Sequence, residues 1–307
     1  MIDFKYHVAS LVAVFLAVAV GILIGTSMLD TPSVENQIKT LKAQFDRIQA
    51  ESRSLNVANE ELRGQARVLE SALRQVAPAA VQGRLAGKRV AFIISGRPPE
   101  AAVLREVKFL LATAGAGVSS ITTFAGNLLP ENPISRQALV DEAGLDMSDP
   151  DRARRRLAAR VTREIVLGRS AETLRVVAQY SPGVTLDGSY DLPVDAVVLF
   201  AAAETEEEAR SVGEGTSIQA RIADVLREEG IHTVACELET CQVPLIPYLA
   251  RYNLTTVDGI DTPLGKIALI YALAGKQGHY GTRPPAAQVL PELDITPITS
   301  PGAPPDH

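Results

Sequence analysis

The chain has 307 residues, a net charge of -6 at pH 7, two cysteines and no tryptophan. The acidic balance argues against nucleic acid as a partner, because phosphate binding needs a basic surface. Two cysteines exclude a disulfide-rich scaffold, and 5% aromatic residues offer no evident stacking platform for bases or sugars. The length fits a membrane anchor followed by one or two soluble domains.

Residues 1–30 are predicted to form a transmembrane anchor. Residues 8–29 carry no charge, and a helix of that length extends about 33 Å, enough to cross a hydrocarbon core of about 30 Å. A cleaved signal peptide is the alternative, but its apolar core is usually shorter, about 7–15 residues, and ends in a small-residue cleavage site. Lys5 before the span and Asp30 after it favour a cytoplasmic N-terminus and an extracytoplasmic remainder.

Residues 31–77 are predicted to form a coiled-coil stalk. Every d position of the heptad is apolar and the 4-3 spacing is unbroken, as in a left-handed coiled coil. Asn59 at an a position favours a parallel dimer, with higher oligomers left open. A long helix packed on the rest of the chain is the alternative. The a positions are Ile38, Phe45, Ser52, Asn59, Ala66 and Leu73, and the d positions are Val34, Leu41, Ile48, Leu55, Leu62, Leu69 and Val76.

Small residues inside the anchor also favour pairing. They recur every fourth position, a spacing that lets two helices approach closely in lipid. Ala and Gly are also common in any apolar helix, so this pattern alone is weak. The members are Ala9, Ala13, Ala17, Gly21 and Gly25.

An α/β domain is expected at 88–282. Pro78 should end the long helix, and residues 78–87 read as a Gly/Ala-rich linker. A strand, an amphipathic helix and a second strand follow one another, which predicts a βαβ unit and hence a parallel, three-layer Rossmann- or flavodoxin-like sheet. Strands are predicted at 89–94, 118–124, 195–201 and 231–238, helices at 100–114, 151–167, about 218–229 and 262–274, an irregular excursion at 125–149, an ambiguous segment at 174–179 and a disordered Pro-rich tail at 283–307.

The best metal candidates are His232, Cys236 and Cys241. Soft thiolates with an imidazole suit Cu(I) or Zn(II). The spacing matches no tight metal signature, and on a strand His232 and Cys236 would stand about 13 Å apart. A Cys236–Cys241 disulfide outside the cytoplasm, or two buried thiols, are the alternatives.

Two further polar features have ordinary explanations. Ser95-Gly96-Arg97 follows the first strand and reads as a plain βα turn, although a helix N-terminus there could hold an anion. An arginine-rich helix at 152–163 could touch acidic lipids or envelope polymer, but a solvated face is the default. No nucleophile–base constellation is apparent, so no enzyme is predicted.

Three stretches resemble the MctB-like copper transport proteins of mycobacteria and other actinobacteria. They are residues 2–11 with 14–22, residues 256–263, and Gly278-His279-Tyr280-Gly281, which reads as a compact turn. The resemblance implies copper transport and homeostasis in the cell envelope, with copper as the candidate ion and the outer envelope as a candidate location. It carries no ligand motif onto residues of this chain.

The pore proposed for that family fits poorly with a single span. Its polar residues are Ser10, Thr26 and Ser27, too few to line water in a monomer, and the repeated strands of a membrane barrel are absent from the sequence. Three hypotheses follow: copper homeostasis by an anchored oligomer, an envelope scaffold without transport, and a small-molecule or anion binding module at the mouth of the sheet.

Overall fold

A computed structural model describes residues 4–29 and 32–293. The chain divides into two compact units, Met1–Val68 and Leu69–His307. The first unit is entirely helical over its described residues. Helix α1 spans Phe4–Leu29, and helix α2, Pro32–Val81, begins in this unit and ends in the second.

Helix α1 buries no side chain between residues 5 and 26. Its segment Lys5–Thr26 is long and apolar enough to cross a membrane, a test that an N-terminal signal sequence also passes. Within it, the Thr26 hydroxyl donates to the Ile22 carbonyl oxygen at 3.0 Å. The polar hydroxyl is therefore satisfied inside the helix, as a hydrocarbon environment requires.

Helix α2 carries the predicted heptad seam on an exposed face. Leu41, for example, is 64% exposed and Leu55 60%. The side chain of Val34 lies outside the described residues. A row of large apolar side chains without cover costs roughly 25 cal/mol per Å² of apolar surface left in water. The other strongly exposed seam residues are Ile38, Phe45, Ile48, Leu62, Leu69 and Val76.

The prediction that Pro78 ends this helix is wrong. Pro78 lies inside α2, which continues to Val81. Proline lacks the N–H that would bond one turn back, a loss of about 3 kcal/mol in a helix interior. Here the last turn is held by packing, since Ala77 and Val81 are buried in the core of the second unit. Residues 82–87, expected as a linker, continue this contact: the Leu85 amide donates to the Ala114 carbonyl at 2.7 Å.

The second unit is built on a mostly parallel seven-stranded sheet, which confirms the predicted α/β class. The strand order is β3-β2-β1-β4-β5-β6-β7, and only the β2–β3 pair is antiparallel. Every residue of β4 is buried, as its unbroken apolar sequence predicts for a central strand. The strands are β1 Arg89–Ser95, β2 Gly117–Phe124, β3 Val184–Gly188, β4 Ala196–Ala201, β5 His232–Cys236, β6 Thr255–Val257 and β7 His279–Tyr280.

Helices cover both faces of this sheet and give three layers. Alternate β1 residues divide between two cores, with Ala91 and Ile93 in one and Val90 and Phe92 in the other. The first core includes residues of α4 to α9, and the second includes residues of α3, α10 and the end of α2. The helices are α3 Ala101–Thr113, α4 Pro133–Ala143, α5 Pro150–Leu167, α6 Glu172–Tyr180, α7 Glu206–Gly213, α8 Ile218–Glu228, α9 Ile246–Leu249, a 3-10 turn Ala250–Tyr252 and α10 Pro263–Leu273.

Several local expectations need correction. The excursion at 125–149 contains α4, whose start is capped by Asn132 accepting from the Ile134 amide at 2.9 Å. The segment expected as a turn at 278–281 contains β7, which pairs with β6. The ambiguous segment 174–179 lies in α6. Residues 294–307 of the expected disordered tail lie outside the described residues, whereas Leu290 packs against the second core.

A buried lysine fixes the loop that precedes α10. Lys266 is 3% exposed, and its ammonium group donates to a Glu106 carboxylate oxygen on α3 and to the Asp261 carbonyl oxygen at 2.8 Å. A buried charge is tolerated only when it is paired and hydrogen-bonded. These bonds hold the turn after β6, and with it one side of the carboxyl edge of the sheet.

Candidate functional site

The three predicted metal ligands occupy separate places around β5. His232 stands at the start of the strand, with its Nε2 atom 2.8 Å from the Ala272 carbonyl oxygen. A carbonyl only accepts, so this nitrogen donates and only Nδ1 keeps a free lone pair. Cys236 ends the same strand and is fully buried among apolar side chains. Cys241 follows in the next loop and is partly exposed.

Neither thiol is poised as an anion. Burial raises the pKa of the Cys236 thiol, with a smaller contribution from the charge of Glu237. Burial also raises the pKa of Cys241, and the hydrogen bond from Arg283 opposes that rise. The two cysteines are not bridged. Over residues 4–29 and 32–293, no three His, Cys, Asp or Glu side chains form a group suited to a metal ion, and the three-ligand site stays a prediction.

Cys241 instead belongs to a polar cluster at the carboxyl ends of β5 and β6. The Arg283 guanidinium donates to the Cys241 sulfur at 2.9 Å and to the Glu239 carbonyl oxygen. The Arg283 backbone amide donates to the buried Asp258 carboxylate at 2.8 Å. Gly281, at φ +139°, lies where any Cβ would meet that carboxylate. The loop after β7 therefore closes tightly over Asp258 and carries Arg283 to the thiol.

Glu237 is the least compensated member of the cluster. It is 3% exposed, and its Oε2 atom accepts from the amides of Leu245 and Ile246 at 2.8 and 3.1 Å. Its Oε1 atom has no hydrogen-bond partner in the described part of the chain. Burial raises the pKa of this carboxyl, and the two backbone bonds oppose the rise. Leaving a buried oxygen without a partner costs about 1–3 kcal/mol.

A cavity opens where the strand order reverses between β1 and β4. It has a volume of about 580 Å³ and is lined by the loops after β1, β2 and β4, including Arg97, Asn127 and Glu204. In open α/β sheets this crevice is the usual place for a ligand. Gly96, at φ +90°, lets the first loop pass against the Ala202 carbonyl, where a Cβ would collide. The predicted βα turn at 95–97 therefore forms one wall of the cavity.

The arginine-rich helix is α5, and its positive charges are partly neutralised. Arg163 makes ion pairs with Glu228, the last residue of α8, and with Glu229, which follows it, and Arg160 pairs with Glu164. Exposed pairs of this kind contribute about 0–1 kcal/mol each. The exposed arginines of α5 thus have ordinary surface partners, which fits the predicted solvated face.

Comparison with known protein families decides the identity of the chain. The family described as "Copper transport outer membrane protein, MctB" matches residues 1–291. The chain belongs to the MctB family. The match includes α1, α2 and the whole described α/β unit, so it confirms the resemblance drawn from residues 2–22 and 256–281. Comparison with curated proteins gives no match.

Membership in the MctB family links the protein to copper transport and to the outer membrane, in the words of the family description. That description is of a transport protein rather than of an enzyme. Copper in this context is a substrate of transport, not a resident cofactor. Around Cys241, residue types alone did not reveal Glu237, Asp258 and Arg283, because these three come from three separate loops.

Proposed function

We propose that this MctB-family protein is a membrane-anchored envelope protein that acts in copper transport or efflux and in copper homeostasis. The observation that carries the proposal is the family match over residues 1–291, which begins with an apolar helix long enough to span a bilayer. In this proposal α1 anchors the chain with its N-terminus in the cytoplasm. The α/β unit stands outside the membrane, where it meets copper in the envelope.

Cys241 is the residue we propose as the first contact for copper. Cu(I) is a soft ion and prefers thiolate sulfur, and Cys241 is the cysteine of the two that reaches solvent. The Arg283 cation beside it offsets part of the rise that burial causes in the pKa of this thiol, and in that measure favours the thiolate that a metal needs. Cys236 and His232 are proposed as further ligands that join only after local opening of β5, because Cys236 is fully buried and His232 stands at the opposite end of the strand.

The exposed seam of α2 supports an oligomer. A single apolar span does not enclose a water-filled path by itself, so transport through the membrane requires several copies. The row of seam residues exposed on α2 is what a parallel coiled coil would bury. We propose a parallel dimer or a higher oligomer joined through α2, with the small residues of α1 packed across the membrane.

Deletion of the gene tests the proposal. The deletion strain should be more sensitive to copper in the medium than the parent strain, because export or sequestration is lost. Wild-type protein expressed in the deletion strain should restore growth, and a Cys241→Ser variant should restore it only in part. A Ser71→Ala variant, which removes an exposed hydroxyl at an f position of α2, is the control and should restore growth fully. Normal copper tolerance in the deletion strain would overturn the function.

Metal content gives a second readout on the same residues. Protein purified under reducing conditions should carry copper, and the Cys236→Ser, Cys241→Ser double variant should carry less. Equal copper content in the two proteins would show that the thiols do not bind the metal. It would not change the conclusion drawn from the copper tolerance of the deletion strain.

An envelope scaffold without transport is the second candidate, and the exposed α2 seam favours it equally. In that case α2 joins copies or partners, and the α/β unit binds envelope components. Crosslinking that recovers the same partner with and without copper, together with normal copper tolerance in the deletion strain, would support the scaffold instead.

A further inference from the structure

A second cavity lies beside the one at the strand reversal, on the face of the sheet covered by α5 and α8. Its volume is about 540 Å³, within the range of about 300–1,000 Å³ typical of small-molecule sites. The two cavities share Asn127, Ser217 and Ile218 as walls. The second cavity is therefore continuous with the cavity at the strand reversal.

Three arginines line this cavity against a single glutamate. Arg136, Arg154 and Arg221 come from three different helices, and Glu131 is the acidic residue of the lining. The Arg136 guanidinium is held in place by the carbonyl oxygens of Pro130 and Glu131, at 2.9 and 3.0 Å. Carbonyl oxygens fix its position but do not neutralise its charge.

Arg221 is the most exceptional of the three. Its guanidinium has no hydrogen bond or ion pair with the described residues, although it is partly buried. Burial lowers its pKa, the positive charge of nearby Arg155 lowers it further, and Asp151 offsets part of this effect. Arg154 forms an exposed pair with Asp151 at 3.1 Å, so this carboxylate is already shared. Asp151 and Asp224 also attract Arg221, but each pairs directly with another arginine, Arg154 and Arg227, so no carboxylate contacts the Arg221 guanidinium among the described residues.

The rest of the lining adds donors and an apolar wall. The α8 helix begins at the cavity with Ser217 as its cap, and the 18-residue α5 begins there with Pro150. Helix N-termini carry partial positive charge, which adds to that of the arginines. Leu128, Met147 and Ile218 supply apolar surface in the same cavity.

We propose that this cavity binds an organic phosphate monoester, with the phosphate held by Arg154 and Arg221 and the organic part against Leu128, Met147 and Ile218. Guanidinium groups match phosphate oxygens in bidentate geometry. A dianion suits three arginines facing one glutamate better than a monocarboxylate, which would leave more charge unbalanced. The site is separate from Cys241, and the binding does not require copper.

The test uses full-length protein in an uncharged detergent and metal-free buffer. Titration calorimetry is run with glucose 1-phosphate and with short-chain dihexanoyl phosphatidic acid, two phosphate monoesters that stand for a soluble and a lipid source. At least one should bind wild type, and the Arg154→Gln, Arg221→Gln double variant should bind it roughly tenfold or more weakly, since two charge-assisted contacts are lost. The preferred probe identifies the source.

Two controls separate recognition from folding. Arg152→Gln removes a positive charge from an exposed side chain of the same helix outside the cavity lining and should change affinity less than about twofold. Without added ligand, the Arg221→Gln variant should unfold at the same or a higher temperature than wild type. It loses the cost of burying a charge and the repulsion from Arg155, and it gives up no hydrogen bond or ion pair with the described residues. Failure of both probes to bind wild type, or equal binding by the double variant, overturns the proposal. So does a loss of affinity in Arg152→Gln as large as in the double variant.

Discussion

At the scale of single residues, polar side chains meet at the carboxyl end of β5 although they lie far apart in the sequence. The sequence points to His232, Cys236 and Cys241 by residue type, and the structure places one of them, Cys241, in a polar cluster. Glu237 and Arg283 complete that cluster through contacts across 8 to 44 positions of chain. A single sequence gives no signal for such pairs. The only local hint was a polar residue directly after a buried strand, the usual position of functional groups in parallel sheets.

Glu237 provides a prediction about pH. Its folded-state pKa lies above the usual value of 4.5 because of burial. Between pH 4.5 and its folded-state pKa, Glu237 therefore keeps its proton in the folded chain and has lost it in the unfolded chain. The stability that comes from this difference is complete below pH 4.5 and is lost as pH rises through the folded-state pKa. Each unit of that rise corresponds to about 1.4 kcal/mol. Glu237→Gln should remove this loss, seen as a smaller fall in unfolding temperature between acidic and neutral pH.

Glu239→Gln is the control for that experiment. Glu239 lies two positions along the same loop and is exposed, so its replacement should leave the pH dependence of wild type unchanged. If Glu237→Gln kept the full pH dependence, another group would be responsible, and the buried carboxyl would be ionised or protonated equally in both states.

At the scale of helices and strands, an element could be predicted where its own residues carry an apolar run or a helix-start signal, and the prediction failed for β3 and β7. The apolar runs of β1 and β4 and the Thr262-Pro263 start of α10 each appear within a few residues, and all three elements form. The Thr262 hydroxyl accepts from the Gly265 amide at 3.1 Å. In contrast, β3 and β7 gain their strand conformation from pairing with β2 and β6. β3 has one buried residue of five and β7 has two residues in all, so neither carries the apolar pattern that predicted the equally short β5.

The α2 helix gives a prediction about assembly. Leu55→Glu places a charge in the proposed seam and should shift purified full-length protein from dimer towards monomer, measured by sedimentation equilibrium in density-matched detergent. Burying a leucine contributes about 1.5–3 kcal/mol for each copy, and the charge adds a desolvation cost.

Val57 is the matched control for the seam. It is an equally exposed apolar residue of the same helix, at 65%, but it falls at an f position outside the seam. Val57→Glu should leave the oligomeric state of wild type unchanged. Equal effects of the two substitutions, or a wild-type protein that is monomeric, would contradict the coiled coil and favour α2 as a single exposed helix.

At the scale of the whole molecule, the family match and the apolar α1 agree on a membrane protein. The fold class could be predicted because period and length, the two strongest sequence signals, separate an apolar span, a heptad helix and alternating strands and helices. The continuation of α2 through Pro78 could not be predicted, because a proline within a helix is normally destabilising. Packing of Ala77 and Val81 in the domain core explains the exception.

The proposal that α1 anchors the chain leads to a prediction at this scale. The protein should stay with membranes after alkaline extraction, and its intact mass should include residues 1–30, because an uncleaved anchor is retained. Leu16→Arg at mid-span should release a substantial fraction, since a central arginine costs about 2.5–3.5 kcal/mol on insertion. Leu16→Ala, which stays apolar, should behave as wild type. A mature product that begins near residue 30 would identify α1 as a signal peptide.

The two edge strands of the sheet have a consequence for contacts between copies of the protein. β7 has only two residues, and β3 is a short antiparallel strand with Asp187 and Gly188 at its end. β3 is short and has a charged residue near its end, whereas the outer side of β7 is already occupied, since the Ala287 amide donates to the His279 carbonyl oxygen at 3.3 Å. Both edges therefore offer a poor template for backbone bonding to another chain. If copies are anchored side by side in one membrane, as proposed, these edges give them few free backbone groups to pair with. Association of the α/β units through their sheet edges is thereby disfavoured, and the contacts proposed for α1 and α2 become the route by which copies would assemble.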